Sequence, residues 1–159
     1  MSDSSASGRA QANQALYLAR IVLAAWRHCL EQRDVPAQTL ALAFQAGVQQ
    51  HLVAAYGWFL LHASGQQAPP GGLPRGCEDL SPAAPGVVFP GEINECRQLE
   101  ASGWLAGMLR PASNEPPRVR RQDNLAIDAG GFTGHAQWTH WADQLERLFD
   151  RMGESLGEY

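Results

Sequence analysis

Lysine is absent from this 159-residue sequence, in which all 12 basic residues are arginine. That absence excludes the chemistries that need a side-chain amine: a Walker-type phosphate loop, a lysine Schiff base and a Ser-Lys catalytic dyad. Charged residues are also scarce, at 18%, and the net charge is -4. A slightly acidic chain has no general attraction to nucleic acid or to an anionic membrane surface. We therefore expect neither as a main partner.

Long apolar runs and paired cysteines are missing as well. The longest nearly apolar run, residues 52–63, is well below the roughly 20 residues of a spanning helix. The first ten residues are polar and precede no apolar signal segment, so we expect a cytoplasmic protein. Cys29, Cys77 and Cys96 form no Cys-x-x-Cys pair, which fits free thiols in a reducing compartment. Cys77, in a loop, is expected to be the most accessible of them.

Helical periodicity dominates what is present, and hydrophobic residues make up 45% of the chain. Residues 11–32 place apolar side chains at alternating spacings of four and three, which predicts one inward helix face: Ala12, Leu16, Ala19, Leu23, Trp26 and Leu30. Pro36 ends this helix. A second helix is predicted over residues 37–63, with Leu40, Phe44 and Val48 inward. Its second half is apolar on every side, so that half must be covered on every side.

Two further helices are predicted, at residues 92–110 and 136–156, each after a segment rich in proline and glycine. Apolar residues three or four apart predict the inward face of the last helix: Trp138, Trp141, Leu145, Phe149, Met152 and Leu156. These linkers, residues 65–91 and 111–134, break regular structure, and we expect the first to be a flexible excursion. The size suits a single domain. The sequence therefore predicts an all-α, antiparallel four-helix bundle over residues 11–159, preceded by a disordered tail at residues 1–10.

No catalytic or metal-binding constellation is recognisable. The chain lacks the Glu-x-x-His pairs of di-iron bundles, the Gly-x-Ser-x-Gly elbow of hydrolases and a glycine-rich phosphate loop. His51 and His62 lie about three helical turns apart, too far to share an ion. We therefore expect no enzyme activity, no metal and no cofactor.

A polar stripe on the first helix is the first candidate site. Asn13, Tyr17 and Arg20 lie at i, i+4 and i+7, and Arg27 continues the stripe. A polar residue of the second helix, Gln45, Gln49 or His51, could complete it. The set is either a hydrogen-bond network that fixes helix register or a pocket for a ligand or partner, with His51 included.

The all-apolar half of the second helix is the second candidate. A four-helix monomer covers a central helix only in part, so we expect Trp58 and Leu61 to form an interaction surface. The leading hypothesis is a non-catalytic bundle that acts through protein–protein contact, as a homodimer or an adaptor. The alternative is a small-ligand or enzymatic site at the polar stripe. A third possibility is accessory nucleic-acid binding through the linker cluster Arg118–Arg121.

Several short motifs carry a family resemblance. They are Asn13-Gln14-x-Leu16-Tyr17-x-Ala19 with Trp26, His51-Leu52, Trp104-Leu105, and the ending Glu154-Ser155-Leu156-x-Glu158-Tyr159. In these the chain resembles a family of small helical proteins from gammaproteobacteria, defined as a domain of unknown function. The resemblance implies a cytosolic all-helical bacterial protein, with no activity, cofactor or catalytic residue to carry over.

Overall fold

A computed structural model describes residues 3–111 and 134–156. Its helices are α1 (Asp3–Gln32), α2 (Ala37–Ser64), α3 (Gly91–Ser102), α4 (Trp104–Leu109) and α5 (His135–Ser155), with a short 3-10 helix at Cys77–Asp79. Within these two ranges there is no strand, which confirms the all-α class. The structure has one more α-helix than the four predicted, because the helix predicted at residues 92–110 is divided into α3 and α4.

The first two helices form an antiparallel hairpin. The predicted inward face of α1 is buried from Ala12 to Trp26, and Leu30 is half-buried. Trp26 stacks on Phe44 of α2 with ring centroids 6.0 Å apart. The turn between the helices places Arg33 in the left-handed region, at φ 58°, before Pro36 opens α2.

Residues 1–10 were predicted to form a disordered tail, but α1 begins at Asp3, within this segment. Two contacts explain why the helix extends so far toward the N-terminus. Gly8 is buried, and a Cβ built on it would lie 3.3 Å from the Cβ of His62, so the two helices approach closely there. Arg9 donates a hydrogen bond from Nη1 to the carbonyl of Phe149 at 2.8 Å. The start of α1 is thus held by both α2 and α5.

The helix predicted at residues 136–156 is confirmed as α5. Its buried face matches the predicted spacing and contains Trp138, Trp141, Leu145, Phe149 and Met152. Phe149 stacks on Phe59 of α2 with centroids 4.6 Å apart. α5 therefore packs against both helices of the hairpin, and all the helices contribute to one hydrophobic core.

The helix predicted at residues 92–110 is broken at Gly103 into α3 and α4. A Cβ on Gly103 would lie 2.9 Å from the Cα of Leu99, so the sharp turn requires glycine there. A second glycine of this segment, Gly107, also makes a close contact. A Cβ on Gly107 would lie 2.8 Å from Cζ2 of Trp141, which is why α4 can approach α5.

The first predicted linker packs on the protein and is not a flexible excursion. Gly65, at φ 70°, ends α2, and residues 66–90, here called the strap, then fold back across it. The carbonyl oxygen of Pro74 would be only 2.6 Å from a Cβ on Gly57 of α2. Gln66 and Ser81 close the strap with two hydrogen bonds, of 2.7 and 3.0 Å. Apart from its two end residues, the second predicted linker, 111–134, lies outside the described residues.

Candidate functional site

The boundary between α1 and α5, here called the seam, is lined by opposite charges. Arg20 of α1 makes ion pairs with Asp143 at 2.7 Å and Glu146 at 3.2 Å. Arg9 lies 3.6 Å from Asp150 and contacts the ring of Phe149 with its guanidinium. These ion pairs place the arginines of α1 beside the carboxylates of α5. Because these side chains are partly exposed, each pair stabilises the fold only slightly.

A cavity of about 240 Å³ opens on the seam. Its lining consists of Asn13, Leu16, Tyr17, Arg20, Glu146, Phe149 and Asp150. The structure thus brings together three of the four residues predicted for the polar stripe. His51 is not among the lining residues, because α2 packs on a different side of α1 from the stripe. At this cavity α5 supplies carboxylates in addition to the three stripe residues.

Two glutamines of α2, Gln45 and Gln49, are buried. Nε2 of Gln49 donates to the carbonyl of Met108 at 3.1 Å and to that of Arg110. Gln49 therefore ties α2 to the end of α4.

The predicted interaction surface on α2 is largely covered. Leu61 is only 3% exposed, which contradicts its assignment to an exposed surface. Trp58 is half-buried and packs against the core. The cover is provided by the chain itself, because the strap passes over Gly57 while α1 and α5 take the other sides. An apolar helix needs covering, but the sequence pattern alone does not say what covers it.

Beneath the strap, Glu100 of α3 collects hydrogen bonds from two other segments. Its carboxylate accepts the hydroxyl of Tyr56 and, at 3.0 and 3.2 Å, the backbone N–H of Cys77. Gly76 permits this approach, since a Cβ there would lie 2.7 Å from Oε1 of Glu100. Tyr56, Cys77 and Glu100 were not predicted as a group. No local motif joins residues so far apart in the chain, and the only signal was glycine at positions 57 and 76.

Burial changes the acidity of this cluster. Desolvation, followed by the hydrogen bond to Glu100, raises the pKa of the Cys77 thiol to about 12. Desolvation likewise raises the pKa of the Cys96 thiol to about 12 and lifts that of the Tyr56 hydroxyl far above its ordinary value. The expectation that Cys77 is accessible is wrong, because the strap buries it to 3% exposure.

These shifts predict the reactivity of the native thiols. At pH 8, a thiol of pKa near 12 has roughly a thousandfold less thiolate than an ordinary one, and thiolate is the reacting form. We expect a brief iodoacetamide pulse on the folded protein to label the half-exposed Cys29 and to leave Cys77 and Cys96 unlabelled by mass spectrometry. All three should react in urea. Rapid labelling of Cys77 in the native protein would show that the strap opens.

A cavity of about 670 Å³ lies beside this cluster as an open groove. Its lining carries two carboxylates, of Glu78 and Glu100, and two guanidinium groups, of Arg97 and Arg110. Because the two signs are equal in number, the groove has no net preference for an ion of either charge. Within residues 3–111 and 134–156, no group of three or more metal-binding side chains is placed to hold an ion.

The outer face of α1 carries exposed apolar side chains. Tyr17 is 61% exposed and Ile21, one turn later, is 48% exposed. Ala24 and Ala25 continue this face, and both are exposed. The other large exposed apolar residues lie elsewhere, at Val35, Leu42, Val87 and Val88. Tyr17 was predicted only as a member of the polar stripe, and Ile21 was not predicted to contribute, although the i, i+4 spacing of the two residues is visible in the sequence.

The predicted nucleic-acid cluster Arg118–Arg121 lies outside the described residues. None of the described helices combines the length and the apolar character that a membrane crossing needs. In comparisons with known proteins, no family model, curated protein or solved structure matches this chain. The resemblance to the gammaproteobacterial family stays a prediction, and the proposals below rest on the geometry of the chain itself.

Proposed function

We propose that this protein is a non-catalytic helical protein that acts through protein–protein contact, and that the contact surface is the outer face of α1. The observation that carries the proposal is the exposure of Tyr17 and Ile21 on adjacent turns of one helix. The contact mode agrees with the leading hypothesis from the sequence. The sequence hypothesis put the contact surface on α2, whereas the proposal puts it on α1, because the strap already covers α2.

Two physical arguments favour this face. Burying apolar surface contributes about 25 cal/mol for each Å² removed from water, and Tyr17 and Ile21 leave much of theirs in water. Tyrosine is also among the residues that most often dominate binding energy at protein interfaces.

Rigidity favours α1 over the other exposed apolar pair. Val87 and Val88 follow a tight turn in the strap, where Val87 N–H bonds to the carbonyl of Ala84 at 2.9 Å. Tyr17 and Ile21 lie in the middle of a 30-residue helix that is anchored along its length by α2 and α5. A pre-ordered surface loses less conformational entropy when it binds.

Site-specific photo-crosslinking in intact host cells tests the proposal. A photoactivatable phenylalanine analogue is incorporated at position 17 of the full chain, and in a matched control at position 88, where Val88 is 87% exposed. We expect a discrete light-dependent protein adduct from position 17 and none from position 88. Failure of position 17 to give an adduct, with the protein folded and present at normal levels, would contradict the proposal.

A further inference from the structure

A row of exposed residues runs along α1 on the side opposite its core contacts. Its members are spaced alternately four and three residues apart, and all are exposed: Ala10, Gln14, Tyr17, Ile21, Ala24, His28 and Glu31. This is the spacing with which one helix packs along another. Three apolar members, Tyr17, Ile21 and Ala24, lie together at its centre, polar Gln14, His28 and Glu31 flank them, and a further alanine, Ala10, begins the row. We call this set the outer row.

From this arrangement we infer that the partner at the outer face of α1 is a second copy of this chain, packed antiparallel along the outer row. The inference rests on the proposed function. A two-fold axis between Ile21 and Ala24 pairs these two residues across the interface. The same axis sets Tyr17 against His28 and Gln14 against Glu31. At the centre the large side chain of Ile21 thus meets the small one of Ala24, and toward the ends polar Gln14 meets polar Glu31, so the row is self-complementary about the axis.

Charge distinguishes the antiparallel arrangement from a parallel one. Glu31 is the only carboxylate or guanidinium in the outer row. In a parallel pair, Glu31 would lie beside its own copy, which is unfavourable for like charges. In the antiparallel pair, Glu31 lies beside Gln14, whose amide can donate a hydrogen bond to it.

The seam cavity gives a second charge argument. In the antiparallel register, Arg27 of the second copy lies opposite the segment between Asn13 and Arg20. The cavity opens there, and its lining carries two carboxylates, those of Glu146 and Asp150, against one guanidinium, that of Arg20. Both carboxylates already pair with arginines of α1, but each pair is partly exposed, so they can accept a further cation. Symmetry makes this contact twice.

Arg27 is available for such a contact. Its side chain is 73% exposed, and its described ion pair is with Glu31 of the same helix, at 3.3 Å. An exposed pair of this kind contributes little to stability, so an exchange of partners costs little. The polar stripe that the sequence singled out thereby becomes the receptor for an arginine of the second copy.

Cysteine crosslinking tests the register. Two variants of the full chain, Gln14→Cys and Glu31→Cys, are made in a Cys29→Ala background and mixed under mild oxidation with copper–phenanthroline. We expect a disulfide-linked dimer from the mixture, because these positions face each other in the antiparallel pair. Either variant alone should give little dimer, because positions 14 of the two copies are then about 25 Å apart. A dimer formed by Gln14→Cys alone would indicate a parallel pair and overturn the inference.

Sedimentation equilibrium tests the charge contact without new cysteines. We expect concentration-dependent dimerisation of the unmodified chain, and at least a tenfold lower association constant for Arg27→Glu. The control, Arg75→Glu, makes the same charge change at an exposed strap residue and should leave the constant unchanged. Equal weakening by both variants would contradict a specific role for Arg27.

The outcomes separate this inference from the proposed function. If the chain is monomeric at all attainable concentrations while position 17 crosslinks to a different protein in cells, the second copy is wrong and the contact face is right. If position 17 gives no adduct at all, both are wrong.

Discussion

Replacing Gly57 with alanine is expected to lower the free energy of unfolding by about 1–3 kcal/mol, the usual cost of overpacking. The added methyl group would lie 2.6 Å from the carbonyl oxygen of Pro74 and 3.2 Å from the Cβ of Leu73. The nearest atom belongs to the backbone, so a rotamer change cannot relieve the contact and the strap must move away from α2. The gain in helix propensity, about 0.5–1 kcal/mol, offsets only part of this cost.

Gly47→Ala is the matched control, in the same helix. A Cβ at Gly47 meets nothing closer than Val22, at 4.0 Å. There the gain in helix propensity is unopposed, and we expect stabilisation by about 0.5–1 kcal/mol. Urea unfolding followed by circular dichroism measures both variants. If Gly57→Ala were as stable as Gly47→Ala, the strap would not be packed on α2 as described.

The second large effect is expected at Glu100. Glu100→Ala removes the carboxylate that accepts the Tyr56 hydroxyl and the Cys77 N–H. A buried donor left without an acceptor costs about 1–3 kcal/mol, and two donors lose theirs here. Glu100→Gln keeps one acceptor oxygen, so its loss of stability should be smaller. Glu78→Ala removes an exposed carboxylate from the strap and should change stability by no more than about 0.5 kcal/mol.

A double-mutant cycle separates this hydrogen bond from general damage to the fold. Tyr56→Phe removes the hydroxyl and keeps the ring in the core. Because Glu100→Ala then leaves one donor fewer without an acceptor, we expect the double variant to lose less than the sum of the two single losses. Additive losses in urea unfolding would mean that Tyr56 and Glu100 stabilise the protein independently.

Local periodicity was enough to predict the two longest amphipathic faces. The inward positions of α1 and α5 repeat at intervals of three and four residues, and the structure buries them. Helical geometry determines which residues share a face, so this information lies within each segment. The ends of α1 and α2 could be predicted as well, because the proline and glycine that mark them act on the local backbone.

The features that the sequence did not predict depend on contacts between segments that are distant along the chain. The pattern of residues 92–110 fits an unbroken helix, and only the close approach of Gly103 to Leu99 reveals the turn. The sequence placed His51 near the polar stripe because it could not give the side of α1 on which α2 packs. Leu61 was assigned to an interaction surface because a four-helix monomer covers a central helix only in part. The additional cover from the strap was not predicted, since a segment rich in proline and glycine was expected to be a flexible excursion.

The strap also bears on the order in which the protein is completed during synthesis. It follows α2 directly in the chain, so the cover for Gly57 and its neighbours leaves the ribosome within about a few seconds of the helix it protects. The ring of Phe59 is covered much later, because its stacking partner Phe149 is synthesised near the end of the chain. An apolar helix left open during that interval would be prone to aggregate. By covering α2 early, the strap leaves mainly the side that receives α5 exposed on the nascent chain.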